Sequence, residues 1–117
     1  MSGVFVTGTD TDCGKTRISL ALMAVWQARG ERVLGMKPVA SGCTPGPDGL
    51  RSPDALLLQA QGSRALPYPL INPYAFAPPI APHIAAGQAG VMIELGPIAD
   101  AYQTLAAAAD RVVVEGV

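Results

Sequence analysis

The residues best suited to chemistry begin with Gly8-x5-Gly14-Lys15-Thr16, set between a β-branched run and a helical pattern. Backbone N–H groups from Asp12 to Thr16 can form a nest for anionic oxygens. The helix that follows adds a partial positive charge of ~0.5 e at its N-terminus. In such a loop Lys15 reaches the β- and γ-phosphates of a nucleotide, and the Thr16 hydroxyl ligates Mg²⁺. The standard phosphate loop has four residues between its glycines, whereas this one has five. The backbone chemistry survives that difference. Magnesium usually takes one or two protein carboxylates, and two are candidates. Glu115 follows Val112-Val113-Val114, and a carboxylate ending a strand of valines is costly to bury unless paired or coordinated. Asp54 lies at a helix start, where it either joins the metal site or only favours the helix dipole, by ~0.3–1 kcal/mol. Lys37 closes an apolar run, either as a solvated strand-end lysine or as a second cation aimed at a transferred phosphoryl group or a substrate carboxylate. Ser41 and Gly42 after it allow close backbone approach to a ligand.

The elements that must position these groups read as an α/β chain. Val4-Phe5-Val6-Thr7 is a short buried-type strand. Ile18, Ala21, Leu22 and Val25 recur at helical spacing up to Gly30, which suits a C′ position. Val33-Leu34-Gly35-Met36 is a second strand, stopped by Lys37-Pro38. Residues 40–51 read as loop. Ser52-Pro53-Asp54 opens a helix, with Ser52 as N-cap and Pro53 at N1, that continues through Leu56, Leu57 and Gln59 to Gly62. Six prolines over 63–82 argue against regular structure there. A short helix follows over 83–88, then a firmer one over 97–109 with Ile98, Ala101, Tyr102 and Leu105 on one face. Val112-Val113-Val114 is a third buried strand. The expectation is a P-loop NTPase-like, doubly wound, mainly parallel sheet with flanking helices, in one domain over 1–117 that stops short at its C-terminal end.

Composition narrows the function classes. The chain has 117 residues, 50% apolar and 15% charged, which excludes a disordered segment. A formal net charge of −1 leaves no basic footprint for nucleic acid or for an acidic membrane surface. No apolar stretch approaches the ~20 residues of a membrane span, and no leader pattern opens the chain, so a cytoplasmic location is expected. Cys13 and Cys43 lack metal-ligand spacing and read as reduced thiols. Lys15 and Lys37 are the only lysines among eight Lys and Arg residues, a scarcity that a general bias toward Arg, Ala, Gly and Pro would explain.

Gly8-Thr9-Asp10-Thr11-Asp12-Cys13-Gly14-Lys15-Thr16 and Lys37-Pro38-Val39-Ala40-Ser41-Gly42 resemble the dethiobiotin synthetases. The resemblance continues through Asp54-Ala55-Leu56, Asn72-Pro73-Tyr74-Ala75-Phe76, Pro82-His83-Ile84-Ala85-Ala86 and Val114-Glu115-Gly116. Asp12 stands where the family often has Glu, and Cys13 where it often has Val. The resemblance implies an ATP- and Mg²⁺-dependent carbon–nitrogen ligase of biotin synthesis. It converts 7,8-diaminononanoate, CO₂ and ATP to dethiobiotin through a carbamate and its phosphorylated form. It further implies that Asp12, Cys13, Gly14, Lys15, Thr16 and Arg17 bind the triphosphate, and that Thr16, Asp54 and Glu115 hold Mg²⁺. Lys37 is then the catalytic lysine, Ser41 and Thr11 contact substrate or carbamate, and Lys15 bridges phosphate and carbamate. A homodimer is implied, with 78–88 near the shared surface, while His83 has a loop or helix-start role. Two other readings stand beside this one: a P-loop ATPase switch regulated by a protein partner, and a nucleotide-binding but inactive fragment of the synthetase.

Overall fold

The computed structural model describes residues 2–6 and 12–116. In chain order the first elements are β1 (Ser2–Val6), α1 (Asp12–Ala28), β2 (Val33–Met36) and β3 (Val39–Ala40). Next come β4 (Thr44–Gly46), β5 (Gly49–Arg51), α2 (Pro53–Gln61) and α3 (Tyr68–Ile71). The remainder are β6 (Tyr74–Ala75), α4 (Pro82–Ala89), α5 (Leu95–Ala107) and β7 (Arg111–Glu115).

Val, Phe, Leu and Met in the three longer strands build one parallel sheet in the order β1-β7-β2. Val6 pairs with Glu115, and Met36 with Val114. The carboxyl ends of all three strands therefore finish level, which is the edge where ligands bind in parallel α/β sheets. Val33, Leu34, Met36, Val112 and Val113 are buried beneath flanking helices, each contributing roughly 1.5–3 kcal/mol on removal from water. The helices cover both faces. A Cβ at Gly35 would lie 3.1 Å from Met23 Sδ of α1 and 3.0 Å from Leu58 Cβ of α2. Gly3, one row away in the register and so facing the opposite way, packs under Tyr102 of α5.

Local chemistry accounts for the element ends. Gly30 has φ +84°, its N–H bonds Gln27 O, and Glu31 N–H bonds Trp26 O, the Schellman pattern that stops α1. Ser52 is extended and its Oγ accepts from Ala55 N, with Pro53 in the first helical position of α2.

Several expectations need correction. The buried side of α1 is Lys15, Thr16, Ser19 and Met23, whereas Ile18 and Val25 are exposed. Ile18 and Val25 each lie two residues beyond a buried position, about 200° around the helix. On α2 the buried residues are Ala55 and Leu58, with Leu56 and Leu57 exposed. The stretch expected as loop over 40–51 contains the antiparallel hairpin β4–β5, closed through Gly49 at φ +111°. The proline-rich stretch 63–82 holds the single turn α3, tolerated because Pro67 is its cap and Pro69 lies in its first turn. It also holds β6, which pairs with β3.

Candidate functional site

Two polar pairs meet at the carboxyl edge of the sheet. In the first, Thr16 sits in the opening turns of α1, and its hydroxyl donates to Glu115 Oε1 at 2.7 Å. Glu115 is the last residue of β7 and is fully buried. Its other oxygen, Oε2, has no hydrogen-bond partner among the described residues. Burial pushes the Glu115 pKa up, and Asp54 adds to the rise, while the Thr16 hydrogen bond and the Lys37 and Lys15 charges pull it down. All four groups thus act electrostatically on one carboxylate.

In the second pair, Lys37 follows β2 directly and is 3% exposed. Its Nζ donates to Asp54 Oδ2 at 3.0 Å. Asp54 stands in the first turn of α2 and keeps 20% of its side chain exposed. Asp54 therefore does more than favour a helix dipole, and Lys37 is not a solvated lysine. A cavity of about 370 Å³ opens beside them, lined by Ser41, Gly42, Ser52, Pro53, Asp54 and Pro79. Its Ser41 segment is strapped down by Phe76 N–H to Ala40 O, Gly42 N–H to Pro78 O and Cys43 N–H to Phe76 O.

Of the residues singled out from sequence, Lys15, Thr16, Lys37, Asp54 and Glu115 come together here, with Ser41 on the adjoining cavity wall. Lys15 is buried, whereas Arg17 points to solvent. Gly14 lies in the first turn of α1, where an added Cβ would meet nothing within 4 Å among the described residues. Asp12 and Cys13 begin the same helix, but their side chains, like Thr11 as a whole, lie outside the described residues. His83 is exposed in the first turn of α4, lining a separate cavity with Ala86 and Val91.

Sequence reasoning missed Tyr68 and gave no role to Asn72, although Asn72 opens one of the motifs behind the family resemblance. Both are buried, and the Tyr68 hydroxyl donates to Asn72 Oδ1 at 2.7 Å. The available signal was a polar aromatic and an amide embedded among prolines, but with no periodicity around them their burial was not legible.

The oxygen set suits a hard divalent cation. Glu115 brings a buried carboxylate oxygen that is unpartnered among the described residues, Thr16 a hydroxyl, and Asp54 a second, partly exposed carboxylate. Mg²⁺ fits this set because it takes few protein carboxylates and keeps the rest of its shell for water and phosphate. Among the described residues no group of three or more His, Cys, Asp or Glu gathers into an all-protein metal cage.

A family model described as an AAA domain matches residues 2–117. The chain is 52% identical over 117 residues to a Xylella fastidiosa (strain 9a5c) protein named ATP-dependent dethiobiotin synthetase BioD, covering 100% of this chain and 52% of that protein. Proteins with the same name from Aeromonas hydrophila subsp. hydrophila and Xanthomonas euvesicatoria pv. vesicatoria (strain 85-10) are each 52% identical over 113 residues. Those matches cover 96% and 97% of this chain and 50% of either relative. The chain spans about half the length of the curated relatives it matches.

Proposed function

Because the chain belongs to the AAA domain family, we propose that it supplies the phosphate and metal half of an ATP-dependent dethiobiotin synthetase. The reaction is ring-closing carboxylation of 7,8-diaminononanoate with CO₂, using ATP and forming ADP and phosphate. The observation that carries this reading is the meeting of the Thr16–Glu115 and Lys37–Asp54 pairs at one sheet edge, with Thr16 itself the end of a glycine-lysine-threonine sequence. The printed names of the relatives support it.

One amine of the diamine adds to CO₂ and loses a proton, giving a carbamate. The γ-phosphoryl group passes from ATP to a carbamate oxygen and ADP leaves. The second amine attacks the carbonyl carbon, loses a proton, closes the ureido ring and expels phosphate. Carbamate and γ-phosphate are both anionic, so bringing them together requires fixed cations at the point of contact. Lys15 bridges phosphate and carbamate, and the Lys37 ammonium meets the charge that develops on the transferred group. The Lys37–Asp54 contact holds that ammonium in a defined place before substrate arrives. Backbone N–H groups from Asp12 to Arg17 receive the triphosphate, and Thr11 and Ser41 contact the substrate or carbamate. Thr16, Asp54 and Glu115 would hold Mg²⁺, which neutralises charge on the β- and γ-phosphates when bound.

We further propose a cytoplasmic homodimer with residues 78–88 near the shared surface, where Ile84 is exposed. No helix among the described residues is long and apolar enough to cross a membrane. Incubating the full-length protein with diaminononanoate, bicarbonate and Mg-ATP tests the reading: dethiobiotin should form in step with ADP. Steady ATP hydrolysis that ignores the diamine and responds to a protein partner would favour a switch instead.

A further inference from the structure

One buried tyrosine–asparagine pair ties together the two elements that carry Asp54 and Lys37. The Tyr68 hydroxyl accepts from Ser52 N–H at 2.7 Å, at the cap that starts α2 one residue before Pro53 and two before Asp54. The same hydroxyl donates to Asn72 Oδ1 at 2.7 Å. Asn72 Nδ2 donates to Lys37 O and to Tyr74 O, both at 2.9 Å. Lys37 N–H in turn donates to Ile71 O at 2.7 Å. Ser52 and Lys37 are fifteen residues apart in sequence, with the exposed hairpin β4–β5 between them, so nothing local fixes their separation. The Tyr68 side chain is held in place by Arg51, whose guanidinium stacks 4.2 Å from the ring centroid. Ser52, Tyr68, Asn72 and Lys37 are all buried, where hydrogen bonds are short of competing water and a lost partner is costly.

We propose that Tyr68 and Asn72 are positioning residues that set the Lys37–Asp54 contact by fixing the end of β2 and the start of α2 against one another. The inference rests on the reading of Lys37 as the catalytic cation, and neither Tyr68 nor Asn72 touches substrate. Tyr68→Phe keeps the ring under Arg51 and removes only the hydroxyl, leaving Ser52 N–H and Asn72 Oδ1 without their shared partner. The Lys37 ammonium then samples positions away from Asp54. A small displacement of such a group is expensive in rate, so turnover should fall by about tenfold or more while the KM for ATP stays unchanged.

Lys37 and Lys15 together provide a readout independent of activity. Trace acetylation with acetic anhydride at one fixed pH, followed by peptide mass spectrometry, gives the ratio of Lys37 to Lys15 labelling. The expected result is a severalfold higher ratio in Tyr68→Phe, with Asn72→Ala as a second variant should the first fail to fold. Arg111→Ala, which removes the Glu31 ion pair and the Trp26 stack at the amino end of β7, should lower the melting temperature but leave both the ratio and kcat unchanged. An unchanged ratio in the folded Tyr68 and Asn72 variants, or an equal change in Arg111→Ala, overturns the positioning role. Absence of dethiobiotin with the parent protein overturns the functional reading separately, because the labelling ratio needs no turnover.

Discussion

Replacing Glu115 with glutamine should make the ligand-free protein more stable and its response to Mg-ATP weaker. Glu115 is fully buried, accepts one hydrogen bond from Thr16, and leaves Oε2 without a partner among the described residues. Even after relaxation, a buried carboxylate costs several kcal/mol in lost hydration. The Thr16 hydrogen bond returns about 1.5–3 kcal/mol of this, and the Lys37 and Lys15 charges return a further part. A glutamine amide keeps the bond from Thr16 and adds one unmatched NH₂ group, at about 1–3 kcal/mol. The difference favours Glu115→Gln by on the order of 1–2 kcal/mol, or roughly 4–8 °C in melting temperature for a chain of this size. Burial raises the Glu115 pKa, so the native state keeps its proton to a higher pH than the unfolded chain. The native stability tied to this group is therefore complete below the ordinary glutamate value of ~4.3 and declines as pH rises through the native one. The glutamine gain should accordingly vanish in acid and be full once Glu115 ionises. Saturating Mg-ATP at about 100 times its dissociation constant stabilises the parent by about 2.7 kcal/mol, and the variant should show much less. Thermal unfolding at acid and neutral pH, with and without Mg-ATP, reads all of this. A variant less stable than the parent at neutral pH, or equally stabilised at both pH values, would refute the reasoning.

Lys37→Gln should lower kcat by about 10²–10³-fold, the cost of removing one preorganised charge-stabilising donor, with little change in ATP affinity by calorimetry. Thr16→Ala removes the hydrogen bond that Glu115 receives among the described residues and should destabilise the ligand-free protein by about 1–3 kcal/mol. The same variant should raise the Mg²⁺ concentration needed for half-maximal turnover. Gly35→Ala places a Cβ 3.0–3.1 Å from Leu58 and Met23, and urea unfolding should register a loss of about 1–3 kcal/mol for that overpacking.

The longer elements are legible in the sequence because their chemistry is local. Val112-Val113-Val114 and Val33-Leu34-Gly35-Met36 lack the alternation of a half-exposed strand, and both are buried. Ser52-Pro53 and Gly30 announce helix ends that form as expected. The buried side of α1 is not legible, because it carries Lys15, Thr16 and Ser19, which a hydrophobic pattern assigns to water. The segment 63–82 is misread for a different reason. The prolines around Tyr68 exclude a long helix but not a single turn, and the short strand β6 forms only because β3 lies beside it. Within the site, Lys15, Thr16 and Glu115 follow from motif and strand position. The Lys37–Asp54 contact depends on how α2 docks, as do the partners of Tyr68 and Asn72, so the sequence around them does not show which groups they join.

Dethiobiotin formation by the full-length protein, measured by mass spectrometry alongside ADP, bears most directly on the proposed chemistry. With diaminononanoate, bicarbonate and Mg-ATP present, one dethiobiotin should appear per ADP, and Lys37→Gln should suppress both together. ADP release without dethiobiotin, or an unchanged rate in Lys37→Gln, would contradict the assignment of this site to carbamate phosphorylation.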